Sequence, residues 1–161
     1  MKNTTVIGEP GRIIVANLVP GAQLTDSILE ICESEKIDTA VILSFIGTVN
    51  ELYLRNPRDT TVLPVTNEQE FSNQVDTTVL LRQMEILSVC GNVTMFNGKL
   101  FLNLHGLFSE AGGKVHGGHI FRATIWSQGE LFIQEILKAR VTRERDSLVT
   151  GLPQFQLHQL R

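Results

Sequence analysis

The tightest local constraint in this chain is Asn97-Gly98, set between Glu85 to Phe96 and Leu100 to Phe108. Asn-Gly accepts the two positive φ angles that a two-residue hairpin turn demands, so these runs are expected to pair as antiparallel strands. In Phe101-Leu102-Asn103-Leu104-His105 apolar and polar residues partly alternate. Successive side chains on a strand point to opposite faces, which puts Asn103 and His105 on one face and Leu102 and Leu104 on the other. A glycine-bearing turn, Ala111-Gly112-Gly113-Lys114, follows, and the chain returns with His116-Gly117-Gly118-His119. Strand, turn and returning strand would bring His105 beside His116 or His119. Three of the four histidines fall between Met84 and Ile120, so this stretch is the first place to look for a polar site.

The other segments read as one domain over residues 1–161, with a core of about 11–142 and an extended tail over 143–161. Gly11 to Val19 is rich in β-branched residues and ends at Pro20-Gly21, which predicts a strand and a turn. Leu24, Ile28, Ile31 and Cys32 recur at helical spacing, with Thr25 or Asp26 as the expected cap and the helix running to about Lys36. Thr39 to Ile46 and Val49 to Leu54, on either side of Gly47, are read as sheet. Arg55 to Asn73 is read as an irregular connection with at most one short edge strand, and Thr77 to Arg82 as a further strand. Ile120 to Trp126 is expected to be a strand turned at Ser127-Gln128-Gly129. Phe132, Ile133, Ile136 and Leu137 form a helical stripe, so periodicity slightly favours helix for Leu131 to Arg140. The sum is an α/β (α+β-like) domain dominated by antiparallel strands, with one or two packed helices.

Charge narrows the classes of partner. Nucleic-acid binding through phosphates calls for clustered lysine and arginine, whereas the net charge here is −3. Five basic and two acidic residues lie between Lys138 and Arg161, which reads as a solvated strand edge or tail. DNA is thus a partner that bulk charge does not support. The polar start and the lack of any long apolar run predict no signal peptide and no membrane span. Cys32 and Cys90 are isolated, without C-x-x-C spacing, and are expected to be reduced, buried thiols of a cytoplasmic protein.

Several residues are candidates for chemistry. His116 and His119 follow His105 by eleven and fourteen residues, which brings a polar or metal site level with the alternative of a half-buried strand histidine, and Glu85 could serve as an acid or base. Gly117 and Gly118 would let a ligand or another backbone approach closely; tight packing or a bulge is the plainer alternative. Arg122 could bind an anionic ligand, against the alternative of a surface salt bridge. Glu85 could equally be structural. Neither cysteine nor any serine sits in a sequence that suggests an activated nucleophile.

Six pieces of the chain, taken in order, resemble the plant- and prokaryote-conserved (PPC) domain. They are Leu18-Val19-Pro20-Gly21, Ile46-Gly47-Thr48, Met84-Glu85-Ile86-Leu87-Ser88-Val89-Cys90-Gly91-Asn92, Leu102-Asn103-Leu104-His105, Gly117-Gly118-His119-Ile120 and Arg145-Asp146-Ser147-Leu148-Val149-Thr150-Gly151-Leu152. The resemblance implies a curved, mainly antiparallel sheet, assembly as a homotrimer, and a strand over Leu131 to Arg140 where periodicity favours helix. It also implies a DNA-binding or regulatory assembly role. In plants the domain accompanies AT-hook segments, and this sequence contains no Arg-Gly-Arg-Pro. Family members commonly carry His-x-His on the strand and Gly-Gly-His after the turn, and the fold is similar to that of zinc-dependent acetolactate decarboxylases. The alternative it implies is therefore a zinc enzyme or ligand-binding protein with its site at a subunit boundary. His105 and His119 match that pattern, whereas Asn103 stands where the family has a histidine, and an amide is a poor substitute for imidazole on zinc. With His116 as an extra histidine close by, the resemblance still implies three nitrogen ligands in His105, His116 and His119, and Glu85 or Glu110 as a fourth ligand or general base.

Overall fold

A computed structural model describes residues 4–146 and 148–160. The elements are β1 (Glu9–Leu18), α1 (Leu24–Ser34), β2 (Ala40–Pro57), α2 (Glu68–Asn73), β3 (Val75–Leu80), β4 (Met84–Phe96), β5 (Lys99–Glu110), β6 (Val115–Leu137), β7 (Ala139–Arg145) and β8 (Pro153–Gln159). Asn97 and Gly98 take φ of 51° and 75°, and the β4–β5 hairpin they close is paired from Phe96↔Lys99 to Met84↔Glu110. The turn chemistry therefore sets the register, as its residues demand.

β2 pairs with β6 along one edge and with β4 along the other, β6 pairs with β5, and β5 pairs with β4. These four strands return on themselves, which gives the sheet its curvature and removes most free edges. β1 lies on β6, β3 on β2, and β7 joins β4 in parallel and carries β8. The buried side holds Val49, Leu52, Val93, Leu104, Phe108, Ala123, Ile125, Leu131 and Ile133, with Leu24, Ile28 and Cys32 of α1 packed into the same core. That face of α1 is the one its spacing predicts. Its N-cap is Gln23, without a side-chain cap bond, so Thr25 and Asp26 fall inside the first turn rather than capping it.

The structure departs from the sequence reading at five further places. Ser127-Gln128-Gly129 makes no turn, because β6 runs unbroken from Val115 to Leu137. The glycine serves a crossing instead: Gly129 lies opposite Gly47, and a Cβ on Gly47 would collide with the carbonyl oxygen of Gln128. That approach also makes the two strands expected around Gly47 one continuous β2. Between Arg55 and Asn73 the structure places the end of β2 and the short α2, whose N-cap Asn67 accepts from the Glu70 amide, rather than an edge strand. Leu131 to Leu137 is strand, as the family resemblance implies, because β1 and β2 pair with it on both sides and override the helical stripe. Of the two thiols, Cys32 is buried and Cys90 is exposed on the outer face of β4.

Candidate functional site

The β5–β6 register decides which histidines meet. His105 stands opposite His119, Gly106 opposite Gly118, Leu107 opposite Gly117 and Phe108 opposite His116. His105 and His119 share the outer face, their rings edge to face with centroids 5.1 Å apart. Strand alternation sends His116 to the other face, beside the fully buried Phe108. There its Nε2 lies 3.2 Å from Glu110 Oε1, and Glu110 also accepts from Arg82 at 2.6 Å. Hydrogen bonds from His116 and Arg82 hold the Glu110 carboxyl below its usual range. The three-histidine set expected from sequence therefore does not assemble within one chain, for a reason of parity.

The same register extends His105–His119 into a rung across four strands. Arg55 of β2 pairs with His119, and Cys90 of β4 pairs with His105. Two excursions of the chain roof part of this rung. One is the segment carrying α2, and the other is Leu152 and Pro153, where the chain enters β8. Between them is a cavity of about 430 Å³ lined by Arg55, Asn56, Phe71, Phe101, Asn103, His105, His119, Arg143, Arg145 and Leu152, together with Pro57, Ser72, Val75 and Pro153. None of these is a carboxylate. The His119 imidazole is pushed toward its neutral form, chiefly by burial and then by the neighbouring His105 and Arg55.

Arg143 anchors the C-terminal wall. Its Nε donates to Thr94 Oγ1 at 2.9 Å, one terminal nitrogen to Asn92 Oδ1 at 2.9 Å, and the other to the Pro153 carbonyl at 3.1 Å. The guanidinium sits between the rings of Phe101 and Phe155, 4.8 and 4.6 Å from their centroids. Through Arg143, β7 and the start of β8 are thus docked on β4. Arg145 donates to the Gly151 carbonyl.

The remaining predicted site residues fall elsewhere or play other parts. Gly117 and Gly118 border the rung, where a Cβ on Gly117 would strike Leu107 and one on Gly118 would strike the Asn56 amide. Their smallness admits Asn56, which donates to the Gly117 carbonyl at 3.0 Å, and this is the tight-packing alternative. Arg122 is paired with Glu51 at 3.2 Å, the surface salt bridge. Glu85 lines a separate cavity of about 240 Å³ with Thr48, Ser109, Glu110 and Trp126, apart from His105. Arg55 was not singled out from the sequence, and Arg143 and Arg145 were read there only as part of a solvated strand edge or tail, whereas Arg143 is buried. The alternation Arg143-Glu144-Arg145 marks two arginines on one strand face, whereas nothing local in Arg55-Asn56-Pro57 points to a site.

The zinc that the family resemblance implies can be tested against these donors. The outer face offers two imidazoles, the Asn103 amide and the Cys90 thiol opposite His105, and the guanidinium groups of Arg55 and Arg143 line the cavity beside the imidazoles. Among the described residues no group of three or more His, Cys, Asp or Glu side chains is placed to hold a metal. Within one chain, two nitrogens in a carboxylate-free, cationic surrounding do not fit a dication.

Comparison with known proteins agrees with the fold. No curated protein matches the sequence. A metal-containing protein from Archaeoglobus fulgidus has 27% identity and a TM-score of 0.80, over 96% of this chain and 99% of that one. A plant- and prokaryote-conserved (PPC) protein from Pyrococcus horikoshii has 25% identity and a TM-score of 0.78, over 98% and 100%. A chain from Bacteroides thetaiotaomicron called a "putative DNA binding protein" shares the fold at 21% identity and a TM-score of 0.73, over 92% and 96%. The model of the Plants and Prokaryotes Conserved (PCC) domain matches residues 6–137, which takes in the closed sheet and the His105–His119 rung. This chain belongs to the Plants and Prokaryotes Conserved domain family.

Proposed function

We propose that this chain is a cytoplasmic regulatory assembly domain that works as a homotrimer. The observation that carries this reading is an apolar strip on the outer face of the sheet. Val15 stands opposite Phe132, and Phe132 opposite Ser44; Ile13 is one rung along on the same face, and Ile46 is on the other side, opposite Glu130. Val15 is 64% exposed and Ile46 58%, and Leu43 and Leu87 lie exposed on the adjoining stretches of β2 and β4. Large apolar side chains grouped on one sheet face and left in water favour burial against another surface. A cyclic assembly of identical chains supplies that surface without any further component. Two free thiols, Cys32 and Cys90, suit a reducing compartment.

Association with DNA has less support. Arg12, Arg58, Arg82, Arg122 and Arg140 each have a carboxylate partner within 3.3 Å, so much of the basic surface is already neutralised. A DNA-binding assembly would have to present its phosphates with what remains, in a chain of net charge −3.

Sedimentation equilibrium tests the reading. Three chains of 17.9 kDa give a mass of about 54 kDa for the wild type. A Val15→Asp, Ile46→Asp double variant should sediment as one chain, because burying two unpaired carboxylates outweighs the apolar gain. A wild-type protein that sediments as a monomer at micromolar concentration would sink the proposal.

A further inference from the structure

The cations of this chain are not treated alike by the fold. Arg12, Arg58, Arg82, Arg122, Arg140 and Lys138 each face a carboxylate. Arg55 does not. Its guanidinium rests on the Phe121 ring, 3.5 Å from the centroid, and its Nε is buried with no hydrogen-bond partner among the described residues. A buried donor left without an acceptor is costly, and such groups persist where an outside acceptor completes them. Arg55 lines the 430 Å³ cavity, and the opposite wall carries Arg143, whose three hydrogen bonds go to neutral acceptors and leave its charge unbalanced. A concave site with cations and no carboxylate concentrates positive potential, even in a protein whose net charge is −3.

The rest of the lining has a complementary character. His105, His119 and Asn103 offer hydrogen-bonding groups on the floor, next to Arg55 in the rung. Phe71, Phe101, Val75 and Leu152 offer apolar wall. The volume falls in the range of small-molecule sites, roughly 300–1,000 Å³, and is too confined for a duplex.

We propose that this cavity binds a small organic oxyanion, a phosphate or carboxylate carried on a flat apolar body. Arg55 and the two imidazoles hold the anionic group, and Phe71 and Phe101 hold the body. A planar guanidinium grips such a group through two parallel N–H donors, which an unpartnered arginine beside an imidazole can supply. All the lining residues come from one chain.

The test is isothermal titration of the full chain in a buffer free of phosphate and sulfate, with phenyl phosphate, inorganic phosphate and zinc chloride as separate probes. The proposal expects one phenyl phosphate per chain, bound about tenfold more tightly than inorganic phosphate because of the apolar wall. Arg55→Gln should weaken it by at least about tenfold, Arg55→Lys by less, and Arg12→Gln, at the other end of the sheet, not at all. If Arg55→Gln loses its near-ultraviolet circular dichroism, His105→Ala takes its place, since that side chain is exposed and its removal leaves the core intact. Absence of saturable binding to the folded wild type overturns the proposal. So does binding that Arg55→Gln or His105→Ala leaves unchanged. Stoichiometric zinc, lost in His105→Ala and indifferent to Arg55→Gln, would assign the rung to a metal instead.

Discussion

Replacing Arg143 by methionine tests how the C-terminal hairpin is held. The arginine makes three hydrogen bonds, two of 2.9 Å and one of 3.1 Å, and is flanked by two phenylalanine rings. Hydrogen bonds from a charged group contribute roughly 1.5–3 kcal/mol each, and cation–π contacts about 0.5–1 kcal/mol each. These do not add in full, because an arginine that is only 9% exposed has given up most of its hydration, and burial alone already lowers its pKa. Methionine retains the aliphatic packing, while the Thr94 hydroxyl, in a residue 1% exposed, loses a donor that water cannot replace. The net expectation is a loss of about 3 kcal/mol, a sizeable part of the ~5–15 kcal/mol that holds a typical domain. Urea unfolding reads it as a lower midpoint at unchanged slope. A loss below about 1 kcal/mol would refute the reasoning, and would mean that backbone pairing of β7 with β4 and β8 suffices.

Two other substitutions bear on the frame. Gly47→Ala puts a methyl group against the Gln128 carbonyl at the β2–β6 crossing, and overpacking against backbone predicts a loss of about 3 kcal/mol. Gly112→Ala, in an open turn with φ +89°, should cost only about 1 kcal/mol of backbone strain; equal costs in urea would refute the close crossing. Glu135 is held below its ordinary pKa of 4.5, chiefly by the Arg12 side-chain hydrogen bond, with Nε to Oε2 at 2.9 Å. A depressed carboxylate contributes stability that is complete above its unfolded pKa and is lost as pH falls through the folded value. Melting temperature should therefore fall as pH drops below 4.5, and Glu135→Gln should make that slope shallower; parallel curves would exclude the ion pair as a cause.

How much of the site was legible follows from how local each signal is. That His105 would meet a histidine of the returning strand could be anticipated, since a hairpin turn and alternating side chains act over a few residues; whether it would be His116 or His119 was left open and was decided by the β5–β6 register. The exclusion of His116 was also contained in the sequence: an odd spacing of three from His119 puts the two on opposite faces of any regular strand. The carboxylate environment of Arg122 was weighed as a salt bridge and is one. Exposure of Cys90 could not be read, because it depends on which face of β4 turns away from the core.

By itself the sequence determined the Asn97-Gly98 hairpin, the buried stripe of α1 and the family, because turn chemistry, helical periodicity and motif order are properties of neighbouring residues. Only the tertiary structure decided that Ser127-Gln128-Gly129 stays extended, since the local preference for a turn is weaker than pairing along a strand with a glycine waiting opposite. It alone brought Arg55, Arg143 and Arg145 to one cavity with His105 and His119. Those residues are contributed by four strands, and their meeting depends on a sheet that closes on itself and on a C-terminal hairpin docked through a buried guanidinium. No pattern along the chain encodes a distance between such remote segments.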